Sequence, residues 1–263
     1  MSHQLSPRDM LVLTILAEMY GAPLDLVAYM LGVSRSRASR IVARWQKARM
    51  ISDNRVRPVP GSVWVYPTRS ACEALLDRSV RYWVPTPKMA AHTLAVFQLR
   101  LALTGLDLNR WISERSMRAE VGLVKAGQPR PHIHDGRYLT TSGELWAVEV
   151  ELTAKSSTAA RTSVIQAVKV AEKAQCTGLT YYCRGEAVKN VIRTASTGLP
   201  TAPKLTLLDL DELLAKKKKE AKERAKTAES SSLASRPGLR VIAGGAADHE
   251  ISQVADPNEG KAV

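Results

Sequence analysis

The sequence predicts an α/β chain, α+β overall, in which a small helical N-terminal domain precedes a larger mixed-sheet domain. Three observations predict this. Near the start, a short apolar helix, the turn Leu31-Gly32-Val33-Ser34 and a second helix follow one another. The stretch from Trp146 to Lys155 alternates apolar and polar residues with the period of a strand. Farther on, Gly178 to Cys183, Glu186 to about Ser196 and Leu205 to Leu208 read as strand, helix and strand, a βαβ unit with parallel strands.

At 263 residues the chain has the length for two modest domains, each with its own core. Tyr82-Trp83-Val84-Pro85-Thr86-Pro87 reads as a stiff, proline-containing connector. The domains are therefore expected at 1–87 and 88–214. Residues 215–263 open with Lys216 to Lys219 and pass into Ser-rich and Gly/Ala-rich sequence, the composition of a basic, largely disordered tail.

Lys and Arg total 38 against 25 Asp and Glu, a net charge of +13, so a polyanion is the expected partner and double-stranded DNA the first choice. No run of eighteen apolar residues is present, and the first residues lack the apolar core of a signal peptide. A cytoplasmic protein without a membrane partner is expected. Cys72, Cys176 and Cys183 are odd in number and widely spaced, which argues against a disulfide framework or a structural zinc site and for buried small residues.

Taken in order, Ser6 and Pro7 open a helix with Met10, Leu11, Leu13, Leu16 and Met19 on its apolar face. A second helix runs from about Leu24 to Leu31. Gly32 then supplies the left-handed turn and Ser34 caps a third helix, Arg35 to about Ala48. Ala38, Ile41, Val42 and Trp45 face inward, which leaves Ser34, Arg35, Ser36, Arg37, Ser39, Arg40 and Arg44 outside. This is the helix-turn-helix arrangement, whose second helix reads the major groove. Met50 to Ser52 and Val63 to Tyr66 read as short strands around a loop with Arg55 and Arg57, which resembles the wing of a winged helix and would bring those arginines to phosphate. A helix from Thr68 closes the domain.

In the second domain, Lys88 to Gly105 reads as a helix and Leu108 to Ser113 leads into Glu114. His132 to Thr140 and Trp146 to Leu152 read as a hairpin. A three-residue loop (141–143) or a five-residue loop (140–144) places Asp135 opposite Glu149; a four-residue loop faces it to Val150. Glu149 and Glu151 share a face about 6 to 7 Å apart, where two carboxylates repel unless a cation or water separates them. With Asp135 they form a three-carboxylate cluster suited to a hard divalent ion, with Lys155 arriving just after. Such a cluster can activate water and steady charge on a phosphate. His132 and His134 flank it as further ligands or as ordinary half-buried histidines. Tyr181 and Tyr182 read as sheet residues, since no histidine triplet accompanies them as in covalent tyrosine relaxases.

The order helix, three strands, helix, strand, helix, strand, with carboxylates on the central hairpin, resembles the restriction-endonuclease-like PD-(D/E)xK fold. The resemblance implies metal binding by Asp135 and Glu149, with Glu151 in the position where the family carries a water-orienting lysine, and Mg²⁺ or Mn²⁺ as the cofactor. Glu-Val-Glu stands where the family has Glu-x-Lys, and Lys155 migrating inward would replace the amine. Glu114 would be the extra acidic residue ahead of the hairpin; a Glu at a helix start is also favoured by the helix dipole.

The winged helix, Trp111 to Arg115, His134-Asp135-Gly136, Trp146 to Leu152 and Lys155 arrive in an order similar to the replication-relaxation family of plasmid and integrative-element proteins, over about residues 7 to 210. That likeness implies a DNA-binding, metal-dependent endonuclease or nickase acting in plasmid or mobile-element replication, relaxation or mobilisation. The alternative is a non-catalytic winged-helix regulator of transcription or replication, whose nuclease-like domain only pairs as a homodimer or grips DNA.

Overall fold

A reciprocal cap starts the first helix: Ser6 accepts the Asp9 amide, and Asp9 reaches back to the Ser6 amide at the head of α1 (Pro7–Glu18). The computed structural model to which this belongs describes residues 4–122, 127 and 130–234. β1 (Ala22–Pro23) follows, then α2 (Leu24–Leu31), which ends on Gly32 at φ 62° and ψ 37°. Glycine meets no Cβ penalty there. Ser34 accepts the Arg37 amide and starts α3 (Arg35–Lys47), with Ala38, Ile41, Val42 and Trp45 buried as their spacing dictates.

The strands after α3 are shorter than the sequence predicts. Met50 to Ser52 contributes only a bridge from Ile51 to Pro67, and Val63 to Tyr66 narrows to β2 (Trp64–Val65). β2 pairs antiparallel with β1, a two-residue strand ending in proline that offers no alternation to read. A second bridge, Val56 to Trp64, closes a loop that carries Arg57, with Arg55 just ahead of it and inside the outer bridge. α4 (Arg69–Leu76) is capped by Thr68.

The remaining elements are α5 (Pro87–Thr104), β3 (Trp111–Ser113), α6 (Glu114–Val121), β4 (Gly136–Leu139), β5 (Leu145–Glu151), α7 (Ser157–Lys173), β6 (Gly178–Cys183), α8 (Glu186–Ala195), β7 (Lys204–Asp209) and α9 (Leu210–Ala234). They build a mixed five-stranded sheet in the order β3-β4-β5-β6-β7. β3, β4 and β5 run antiparallel to their neighbours, while β5, β6 and β7 are parallel. Among the described residues the fold is thus mixed α/β, with helices on both faces of the sheet. None of these helices is long and apolar enough to cross a membrane.

β5 sorts its residues by parity. Val148 and Val150 enter a cluster that includes Phe97 and Leu99 of α5 and extends to Leu13, Leu16 and Trp45 of the N-terminal helices. Ala147 enters the opposite cluster with Ala160 and Val164 of α7 and with Leu179 and Tyr181 of β6. Burying each large apolar side chain contributes about 1.5–3 kcal/mol.

Within the Tyr82 to Pro87 stretch, read from sequence as a connector, Trp83 and Pro85 are packed while Tyr82, Val84, Thr86 and Pro87 are exposed. The Trp83 ring lies 5.4 Å from that of Tyr20 and 6.4 Å from that of Trp64. The Arg115 guanidinium sits 4.1 Å over the Tyr20 ring and donates to Cys72 Sγ at 3.1 Å. Arg100 of α5 is fully buried and lies 3.8 Å from Glu18 of α1. The described residues up to Glu220 form one compact unit, and those from Ala221 another. Of the tail read from sequence, residues 215–234 belong to α9, and 235–263 lie outside the described residues.

Candidate functional site

Hairpin register decides which side chains can meet. Leu139 pairs with Leu145 and Gly136 with Val148, leaving residues 140–144 as the loop. This is the register that sets Asp135 against Glu149. The first strand is shorter than the His132 to Thr140 run predicted from sequence, however, and Asp135 lies one residue ahead of β4. Its backbone still donates to Val148 at 3.1 Å. Released from the pleat, its carboxylate turns to accept the Val150 amide at 2.7 Å through Oδ2, while Oδ1 meets His92 Nε2 of α5 at 2.8 Å.

On β5, Glu149 and Glu151 point to the same face, beside Tyr181 and Cys183 of the parallel neighbour β6. Glu149 is 6% exposed, and its Oε1 lies 2.8 Å from His132 Nε2. Glu151 is equally buried and takes a hydrogen bond from Lys155 Nζ. Asp135, Glu149, Glu151, Lys155, His92 and His132 thus gather at the carboxyl end of β5, a common place for a site in a sheet with parallel strands.

The electrostatics follow from this crowding. Burial, then the charges of Asp135 and Glu151, push the Glu149 carboxyl well above the ordinary range. Burial holds the His132 imidazole below its usual value, and the Lys155 charge adds to that. For His92 burial works downward, but the hydrogen bond and charge of Asp135, with Glu114 and Glu151 behind it, win and raise it. The Tyr181 hydroxyl is buried beside Glu149 with no hydrogen-bond partner, and burial and the three carboxylates raise its pKa.

His132, His134 and Glu149 each bring a donor atom within 4.8 Å of the others, a grouping able to hold a metal ion. A buried carboxylate crowded by two more, an imidazole at hydrogen-bond distance and an orphaned buried hydroxyl are what a divalent cation would relieve, so the residues present fit one. His134 is the most constrained of them. Its Nε2 lies 3.0 Å from the Ala167 carbonyl, and Arg137 Nε donates to its Nδ1 at 3.3 Å. Since arginine only donates, Nδ1 must be bare and Nε2 must carry the hydrogen.

Glu114 stands at the first position of α6, behind the Ser113 cap, and pairs with Arg118 at 2.5 Å. The helix-start reading accounts for the Arg118 pair, while the Glu114 charge also reaches His92 beside the cluster. Ser34, Arg35, Ser36, Arg37, Ser39, Arg40 and Arg44 are all exposed, as are Arg55 and Arg57 on the bridged loop. Among the described ion pairs, Arg35 meets Asp25 at 3.2 Å. The three cysteines are free and buried, and Tyr181 and Tyr182 lie in β6.

Sequence reasoning missed His92. It lies 43 residues before Asp135 on a helix whose apolar pattern says nothing about a partner in the sheet. It also left the roles of the two hairpin histidines open, because their local conformation, not their spacing, separates them. No protein family, curated protein or solved structure matches the chain.

Proposed function

We propose that the chain is a DNA-binding protein whose N-terminal helices and bridged loop form a winged helix-turn-helix, and whose α/β segment is a PD-(D/E)xK-like, metal-dependent nicking domain. The observation that carries the reading is the meeting of Asp135, Glu149 and Glu151 with Lys155 at one end of the sheet. Exposed Arg37, Arg40 and Arg44 on α3 support the docking half, since exposed arginines on a helix after a tight turn suit phosphate and base edges.

A divalent ion bound among these carboxylates would supply an activated water and counter-charge for a phosphate. Glu149 and Asp135 are the residues placed to hold it, with Asp135 oriented by the Val150 amide and His92. Lys155, 40% exposed at its side chain, keeps one flank of Glu151 positive and open to a phosphate oxygen. The order of motifs, similar to that of replication-relaxation proteins, leads us to place the activity in replication, relaxation or mobilisation of a plasmid or integrated element.

A second reading, a non-catalytic regulator, draws support from the same contacts. Both Asp135 oxygens are engaged and Lys155 already neutralises Glu151, so the cluster is partly satisfied without DNA. Supercoiled DNA incubated with the protein in Mn²⁺ or Mg²⁺ separates the two. Nicking that disappears in Asp135→Asn and Glu149→Gln, with DNA binding retained, supports the first reading. Binding without nicking, or nicking unchanged in both variants, removes it.

A further inference from the structure

We infer that the site selects a first-row transition ion over Mg²⁺, with His132 Nε2 and Glu149 Oε1 as its paired ligands and His134 as a positioning residue outside the coordination shell. The inference deepens the metal part of the proposed function and rests on it for the presence of an ion.

Spacing is the first argument. Two donors at right angles, each about 2.1 Å from an ion, stand about 3 Å apart. His132 Nε2 and Glu149 Oε1 are 2.8 Å apart, so an ion can take the place of the hydrogen between them with a shift of a few tenths of an ångström. Both side chains are already held, at 15% and 7% exposure, which lowers the entropy lost on binding.

Donor chemistry is the second. Mg²⁺ takes oxygen ligands and keeps its waters, whereas the first-row transition ions accept an imidazole, Mn²⁺ most weakly and the later ones more strongly, so a preference already visible with Mn²⁺ is the stringent case. An inner imidazole therefore tilts the site away from Mg²⁺. Asp135 is engaged by the Val150 amide and His92, and Glu151 by Lys155, which leaves His132 as the side chain hydrogen-bonded to Glu149.

His134 completes the argument by exclusion. It lies within ligand spacing, but both ring nitrogens are committed, one to the Ala167 carbonyl and one to Arg137. Its ring meets that of His132 edge-on, centroids 5.5 Å apart at 82°. That contact fixes the plane of the His132 ring and so aims Nε2 at Glu149. Fully buried at 0% exposure, His134 has no room to turn outward.

The test uses the full-length, metal-stripped protein titrated with MnCl₂ under electron paramagnetic resonance, with MgCl₂ as competitor. Mn²⁺ is expected to bind roughly tenfold or more tightly than Mg²⁺. Spin-echo modulation should show coupling to one imidazole nitrogen. His132→Gln should abolish that coupling and erase the preference for Mn²⁺ while circular dichroism stays native; His134→Gln should keep the coupling but weaken Mn²⁺ binding roughly tenfold, because the ring that aims His132 is gone. Equal affinity for the two ions, no nitrogen coupling, two coupled nitrogens, or an unchanged signal in His132→Gln each overturns the inference. Nitrogen-coupled Mn²⁺ in a protein that never nicks DNA would sink the nuclease reading and leave this one standing. Nicking unaffected by His132→Gln, with no coupling, would do the reverse.

Discussion

Acid should destabilise this protein through His134, and the size of the effect follows from its surroundings. Its ring is fully buried, gives its Nε2 hydrogen to the Ala167 carbonyl and receives Arg137 at Nδ1. Protonation would put a hydrogen on Nδ1 facing the guanidinium. Burial first, and the Arg137 charge after it, bring the pKa from an ordinary 6.5 down to about 4. A lowered folded-state value means that the unfolded chain binds the proton first. The contribution is therefore fully present above pH 6.5 and is lost as the pH falls toward about 4. At about 1.4 kcal/mol for each pH unit across that window, the loss totals roughly 3 kcal/mol. Urea denaturation in EDTA at half-unit steps from pH 7 to 4 measures it, with His134→Gln as the reference. Gln keeps a donor for Ala167 and cannot titrate. Groups remote from His134 titrate alike in both proteins, so, apart from the coupling to His132 and Asp135, the wild type should lose roughly 3 kcal/mol more than the variant. Parallel stability curves would refute the neutral, doubly bonded assignment.

Two further outcomes test other levels of the structure. Arg40→Ala and Arg44→Ala lie on the exposed face of α3 and should leave stability within about 0.5 kcal/mol of wild type. If they meet phosphates, fluorescence anisotropy on duplex DNA should show the log-log salt slope falling by about 0.9 for each contact removed. Gly178→Ala would drive a Cβ to 2.4 Å from the Trp146 ring on the adjacent strand, a clash expected to cost roughly 1–3 kcal/mol. Trp146→Leu should recover part of that in the double variant, whereas additive losses by thermal denaturation would show that the clash is not the cause.

What could be read from the sequence was whatever one segment decides by itself. A glycine ahead of a serine fixed the α2–α3 turn, because Gly32 takes a positive φ and Ser34 caps. Strand parity placed Glu149 and Glu151 together, and loop length left two registers, of which the five-residue loop's is the one observed. What stayed hidden depends on distant partners. Arg100 reads as a flaw in an apolar helix, yet it is fully buried opposite Glu18, 82 positions away by their numbers. His92 meets Asp135 only because α5 crosses the sheet. The strand before Asp135 looks regular in its residue types, but it is lost where the carboxylate takes over the Val150 amide that a ladder partner would have used.

The same contacts bear on how docking and chemistry would be linked. A mobile connector would let an α3 docked on DNA wander relative to the carboxylate cluster. Here Trp83 is wedged beside Tyr20 and Trp64, Arg115 lies over Tyr20, and Arg100 is sealed against Glu18, so both segments share one core. Arg100 makes no hydrogen bond from any of its guanidinium nitrogens, and burial brings its pKa down to about 10 although Glu18 pulls it upward. Removing one partner of such a pair leaves an uncompensated buried charge, which costs more than the pair contributes. Glu18 and Arg100 are therefore suited to fixing how α1 and α5 sit together more than to adding stability. On the proposed reading, that fixed seating is what would hold the phosphate to be cut at a set distance from the bases that α3 contacts.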